Sequence, residues 1–427
     1  MILTKFYDDN ALGKISAWLI GIIFIQPVFT TIPAIIRIES TPFSIFYRLL
    51  IVLISIYILI VRIFTRKENR FILTFPVAFS LLFWAFYSLR IYYDLSIRGL
   101  QFADHSNFFV YSIAFGNCLL PFIAILSSAL YIKQQYIVKV IYISVFLSSI
   151  CALITVILFF GFRNDIFSTR NIVGEIGVQV IKLSFDGEIL IVFSTYFLVF
   201  NKKLHSFKKC LIILILIVGI LSLIGGASRG PFVGTIFGFI LIVLLYLYKR
   251  GVTFQSIFKV ILVGTLSTFS IILFYYTVLK SIPLAAIERM FYFLSYRKEG
   301  AVEERDFEFA AAWEQFLSSP IIGDSILENF TNYYPHNLIL ELLMSTGVIG
   351  FTVMSIILSS IFIRGLDLIK MGEQWMEEQL MFIFFALIIF FSMFSGGLFI
   401  APYWWAIIGY MLIRSDVLYI KSNNLSK

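Results

Sequence analysis

A single histidine, four arginines and one carboxylate are the residues here whose types and positions could do chemistry. His336 follows Pro335 and precedes Asn337, where a long mixed-polarity stretch gives way to an apolar run. A neutral imidazole at that point could take a proton from a hydroxyl. It could equally cap or anchor the apolar segment at a membrane interface. Asn337 could orient a sugar or cap the helix that it opens. Arg229 stands in Ser228-Arg229-Gly230-Pro231, between two apolar runs. Pro suits the first turn of a helix, and a helix starting there presents free N–H groups to an anion. Arg289, Arg297 and Arg305 lie in the mixed stretch. Glu341 sits about a turn and a half past His336, inside the apolar run, where a carboxylate needs a partner or a watery cavity. Asp186 and Glu188 are weaker cases of the same kind. His105 and His205 read as solvated loop residues. No second His or Cys has metal-ligand spacing from His336, so no metal site is expected.

The elements that must position these residues are membrane helices. The 427 residues are 60% hydrophobic and 14% charged, with a mean hydropathy of +0.95. A soluble domain is about 45–50% apolar and about 25% charged, so this is a polytopic membrane protein. Cys118, Cys151 and Cys210 lie in apolar runs or at the start of one, which argues against a disulfide framework. The net charge is +8, but the basic residues sit in short connectors, which excludes a nucleic-acid surface. The first apolar run lacks a small-residue cleavage site and reads as a retained signal anchor.

A span needs about 20 apolar residues. The sequence supplies about twelve: 15–36, 43–61, 71–93, 108–131, 136–160, 186–200, 210–227, 231–248, 256–279, 337–363, 378–395 and 399–413. The sixth is short, and its start can move back toward Val178. The seventh and eighth make a tight helical hairpin. The expected fold is all-α: one polytopic domain over 1–427, with a long loop at 280–335 between helices 9 and 10. With both termini in the cytoplasm, every inner connector is basic and the long loop lies outside.

The outer side is rich in Arg instead of Lys: Arg37, Arg48, Arg90, Arg98, Arg163, Arg170, Arg229, Arg289, Arg297 and Arg305, against Lys182, Lys280 and Lys298. Lys suffices for topology, whereas Arg is favoured for bidentate binding of phosphate or carboxylate. The outer face therefore reads as an anion-binding face, with lipid anchoring or pairing to the loop's acids as the plainer alternative. Within the loop, 284–296 reads as an interfacial helix. A second helix is expected from about Glu303 to Leu317, with Phe309, Trp313, Phe316 and Leu317 as its apolar face.

Three motifs occur in order on the same side: Ser228-Arg229-Gly230 at a hairpin turn; Arg305 and Trp313 ahead of Ser319-Pro320-Ile321-Ile322-Gly323; and Pro335-His336-Asn337 through Glu341 to Gly347-Val348-Ile349-Gly350. Together, over about 220–360, they resemble the O-antigen polymerase and O-antigen ligase family of bacterial membrane glycosyltransferases. Asp324 departs from the small residue that many members carry. The resemblance implies a metal-independent enzyme without cofactor in the inner membrane, its site facing the periplasm. Its donor is a glycan on undecaprenyl pyrophosphate. A polymerase moves that glycan onto the next lipid-linked repeat unit, alongside a chain-length regulator; a ligase moves it onto lipid A-core. Carried over, Arg229 and Arg305 hold the pyrophosphate and His336 activates the acceptor hydroxyl. Asn337, Arg289, Arg297 and Glu341 are candidate substrate contacts. A polysaccharide or lipid transporter is the alternative from another class, disfavoured because polar residues gather at the outer face and not at the midplane.

Overall fold

A computed structural model of the chain describes residues 9–35, 41–64, 74–103, 105–160, 180–201, 204–226, 228–253, 255, 304–370 and 375–425. Among them the regular elements are helical, with one isolated bridge between Phe102 and His105. In chain order the helices are α1 (Asp9–Phe24), α2 (Gln26–Ile35), α3 (Thr41–Phe64), α4 (Phe75–Tyr92), α5 (Asn107–Tyr111), α6 (Leu120–Ser128), α7 (Gln134–Phe160), α8 (Val180–Phe200), α9 (Ser206–Gly225), α10 (Arg229–Arg250), α11 (Glu304–Ser318), α12 (Leu338–Lys370), α13 (Met376–Phe391) and α14 (Pro402–Leu425). A π-helical turn, Tyr93–Ile97, extends α4, and another, Ser112–Leu119, joins α5 to α6. Eight helical stretches among the described residues are long and apolar enough to cross a membrane.

The hydropathy reading places these helices well, with three differences. The expected span 15–36 is two helices, α1 and α2, meeting at Ile25. The sixth starts at Val180, back from residue 186 in the direction of Val178. The tenth is not one continuous helix. The expected ninth span, 256–279, the interfacial helix 284–296, and with them Arg289 and Arg297, lie outside the described residues.

The chain divides into two compact units. In the unit of Phe24–Ser44 and Tyr142–Gly300, α8 is central. Its apolar window is 72% buried, against 22% for that of α9. The turn between α9 and α10 is as short as its Gly and Pro suggest, yet both helices pack on α8. Small residues permit this: a Cβ on Gly187 would run into the backbone of Gly219 and Leu223.

The other unit comprises Met1–Ile23, Ile45–Ile141 and Ala301–Lys427. Here α12 packs on α4, α11, α13 and α14, and α14 packs on α6. Trp405 of α14 anchors the core, 4.5 Å from Trp84, 5.9 Å from Phe83 and 5.4 Å from Phe122, ring to ring. At the far end of this pair, buried Glu378 accepts from Arg414 Nε at 3.0 Å, from Nη2 at 2.6 Å and from the Tyr410 hydroxyl at 3.2 Å. A buried carboxylate is tolerated when paired and hydrogen-bonded in this way.

The break in α12 falls at Gly347 (φ 61°, ψ −165°). Breaking a helix strands backbone donors and acceptors, which must be satisfied by protein where water is scarce. The Pro320–Asp324 turn does this. Asp324 N donates to Met344 O at 2.8 Å, Val348 N to Pro320 O at 2.8 Å, and Ile349 N to Ile321 O at 3.2 Å. Two glycines let the strands of chain touch. Gly323 (φ +78°) has no room for a Cβ against Ser345 and Thr346, nor Gly347 against Ile321 and Gly323. Gly350 leaves space for the Thr346 side chain. Ser345 and Thr346 close the first half-helix by bonding the carbonyls of Glu341 and Leu342.

Helix α11 forms as expected, but its buried face is not the aromatic one. Glu308, Ala312 and Gln315 are buried, whereas Trp313 and Leu317 are 45% and 58% exposed. The reason is Gln315. Its Nε2 donates to Asp324 Oδ2 and Leu327 O, both at 3.1 Å, and its Oε1 accepts from Asn329 N at 2.9 Å. Three hydrogen bonds to one loop fix which side of the helix turns inward.

Candidate active site

His336 stands just ahead of the first half of α12, where four local features hold it. Its backbone is left-handed (φ +50°), a conformation that costs a non-glycine residue roughly 1–2 kcal/mol. Asn337 caps the helix: its Oδ1 accepts from Ile339 N and Leu340 N, each at 3.1 Å, and its Nδ2 donates to Met393 O at 3.4 Å. Leu338 N donates to Ser392 O at 3.0 Å. The imidazole lies against two phenol rings, 4.6 Å from Tyr334 edge-on and 5.6 Å from Tyr333. A strained residue persists only where its surroundings over-determine it, and such residues cluster at working sites.

The loop before His336 is set by Glu328, which sequence reasoning missed. This fully buried carboxylate accepts from Phe330 N at 2.6 Å, from Thr331 N at 2.7 Å and from the Thr331 hydroxyl. Glu328 N in turn donates to Tyr333 O at 2.8 Å. The loop after α13 supplies the facing wall. Glu341 is fully buried; its Oε1 accepts from Leu398 N at 2.7 Å, and Leu398 O accepts from Trp405 Nε1 at 2.7 Å. Gly397 next to Leu398 lies flat under the Tyr334 ring, where a Cβ would come within 2.8 Å. Burial, with the Tyr333 phenol hydrogen-bonded beside it, pushes the Tyr334 phenol well above its usual range. It stays a neutral hydroxyl.

The arginines have divided roles. Arg90 Nη1 donates to Asp324 O at 2.8 Å, and its Nη2 donates to Ile322 O at 2.9 Å and Gly323 O at 2.7 Å. Arg98 Nη1 reaches Asp324 O at 2.7 Å and Asp324 Oδ1 at 3.3 Å. Asp94 pairs with Arg98 at 3.4 Å and accepts from Ile326 N at 2.9 Å. Arg90 and Arg98, counted above with an anion-binding face, therefore clamp the 320–324 turn. Asp324, the departure from the family pattern, is a partner in that clamp. A lysine cannot reproduce the planar fork. Arg90→Lys should lower stability by about 2 kcal/mol, the scale of a lost charge-assisted bond, seen as a lower melting temperature in detergent.

Arg305 is half-exposed in the first turn of α11, in the same unit as His336, Asn337 and Glu341. Arg229 is exposed at the first position of α10, in the other unit. Ser228 N donates to Ser184 Oγ at 3.3 Å, which ties that turn to α8. Asp186, on α8, is buried and paired with Lys182; Glu188, also buried, faces Gly234 of α10.

Residues 212–355 fit the family model described as O-antigen ligase. No curated protein and no solved structure matches. The matched segment contains Arg229, Arg305, His336 and both glycines of the α12 break. Residues 212–355 thus match the O-antigen ligase family model over the stretch that carries the three motifs, in agreement with the resemblance they suggested.

Proposed function

We propose that this protein is a surface-polysaccharide polymerase. It joins repeat units carried on undecaprenyl pyrophosphate at the periplasmic face of the inner membrane. The observation that carries the reading is His336, held in a left-handed backbone ahead of a capped half-helix, within the family match. In this reading His336 takes the proton of the acceptor hydroxyl. The acceptor oxygen bonds to the anomeric carbon of the donor, and the bond from that carbon to the pyrophosphate oxygen breaks. The pyrophosphate leaves with the electron pair, its charge met by Arg305. Arg289 and Arg297 are proposed as further contacts to the donor. Asn337 and Glu341, first considered as substrate contacts, have the helix cap and Leu398 N as partners and are proposed to act by positioning. A chain-length regulator is the proposed protein partner.

Ligation to lipid A-core is the second reading, favoured by the description of the matching family. Gene deletion separates the two. Loss of a polymerase should leave surface glycan one repeat long on lipid A-core. Loss of a ligase should leave none, with lipid-linked polymer accumulating. Surface glycan unchanged on gels would overturn both.

A further inference from the structure

Next to His336 lies an aromatic assembly that the proton-transfer reading does not use. Phe102 is fully buried at its centre. Tyr333 stacks on it at 4.5 Å and His105 at 5.5 Å. His105 in turn stacks on Phe109 at 4.2 Å, and the Arg48 guanidinium covers Phe109 at 4.5 Å. The loops meet through backbone as well: Ala103 N donates to Asn332 O at 3.2 Å. At the other end, Tyr333 and Tyr334 meet at 4.5 Å, and both rings touch His336. Tyr333 is half-buried and His105 exposed. The result is a row of rings from an outer loop to His336, with accessible rings at Tyr333 and His105 and phenol hydroxyls at its inner end.

This composition suits one ligand class. A pyranose has a face of C–H groups and a rim of hydroxyls. Aromatic faces carry negative potential that attracts C–H hydrogens, and a Tyr adds a polar handle for the rim. Phe102 is covered, Phe109 and Tyr333 are half-buried, and His105 is exposed. Two backbone residues of the row, Ala103 and Asn332, also adopt left-handed conformations (φ 44° and 55°), so the loops are shaped to bring these rings together.

We infer that Tyr333 and His105, stacked on Phe102, form a pyranose-binding subsite that holds the glycan beside His336. The inference rests on the glycosyl-transfer reading. The subsite fixes the sugar, and His336 meets one of its hydroxyls.

The test uses the full-length protein in detergent and a single repeat oligosaccharide. That sugar is released by mild acid from the lipid-linked intermediate that accumulates in cells lacking this protein. Saturation-transfer NMR should show the pyranose C–H protons in contact with wild type. Tyr333→Leu and His105→Ala should each lose that contact, and Tyr333→Phe should keep it. In a reconstituted transfer assay His105→Ala, which does not touch His336, should raise KM for the lipid-linked substrate about tenfold with little change in kcat, the scale of one lost stacking partner. His336→Ala should be inactive yet still show the NMR contact. If Tyr333→Leu and His105→Ala bind and turn over like wild type while His336→Ala is dead, the subsite is refuted and the glycosyl-transfer reading stands. If His336→Ala is fully active, the transfer reading fails whatever the sugar contact shows. His105→Ala lies on a different loop from Tyr333, so a folding fault in one variant does not decide the matter.

Discussion

Removal of the His336 imidazole is expected to lower glycan transfer by roughly 100- to 10,000-fold, the usual worth of a positioned general base. Two variants are needed because the backbone there is left-handed. Alanine removes the ring and also disfavours that conformation, so His336→Ala mixes a chemical loss with strain. Asparagine tolerates left-handed backbone well but has no titrating nitrogen. His336→Asn should therefore keep the wild-type melting temperature and still be inactive. Arg305→Ala should cost roughly 100- to 1,000-fold if its guanidinium group stabilises the leaving pyrophosphate. The readout is chain length on gels, together with initial rates on purified lipid-linked repeat units. Full activity in His336→Asn would remove the imidazole from the mechanism.

Gly347→Ala should have a large structural effect. Its φ and ψ, 61° and −165°, fall in a region open to glycine almost alone. The added Cβ would press on the Ile321 carbonyl and lie 2.6 Å from Gly323 N, and both are backbone atoms held by hydrogen bonds. Strain and overpacking together should cost about 3–5 kcal/mol. At Gly350 the clash is with Thr346 Oγ1 and Cβ, but the backbone there is not in the left-handed region, so Gly350→Ala carries no φ strain and should be milder. Melting temperatures in detergent should rank wild type above Gly350→Ala, and that above Gly347→Ala. Equal tolerance of both would mean that α12 is not broken in the membrane.

Much of this architecture was legible in the residues. Helix positions follow from runs of apolar side chains, because a bilayer leaves the backbone few other ways to satisfy itself. The motif residues His336, Asn337, Gly323 and Gly347 were visible as a pattern, though not the reason for it. Two things were hidden. The inward face of α11 was misread because amphipathic reasoning assumes that water lies outside and oil within. In a chain this apolar the polar Gln315 is the scarcer resource, and it goes where a loop needs three hydrogen bonds. The clamp of Arg90, Asp94 and Arg98 was hidden because its targets are main-chain carbonyls more than 220 positions away. No spacing rule reaches that far. Glu328 was hidden for a related reason, since a carboxylate that serves backbone N–H groups leaves no trace in side-chain chemistry.

The joint between the 320–324 turn and α12 is written in main-chain atoms. Its cost of change is therefore concentrated in Gly323 and Gly347. Ile321, Ile322, Val348 and Ile349 are 65%, 49%, 48% and 49% exposed, and their side chains take no part in the bonds that cross it. Those four positions are free to drift among apolar residues. A random library across those four positions and both glycines, selected for surface polysaccharide, should return many different letters at the four, and the same two glycines every time.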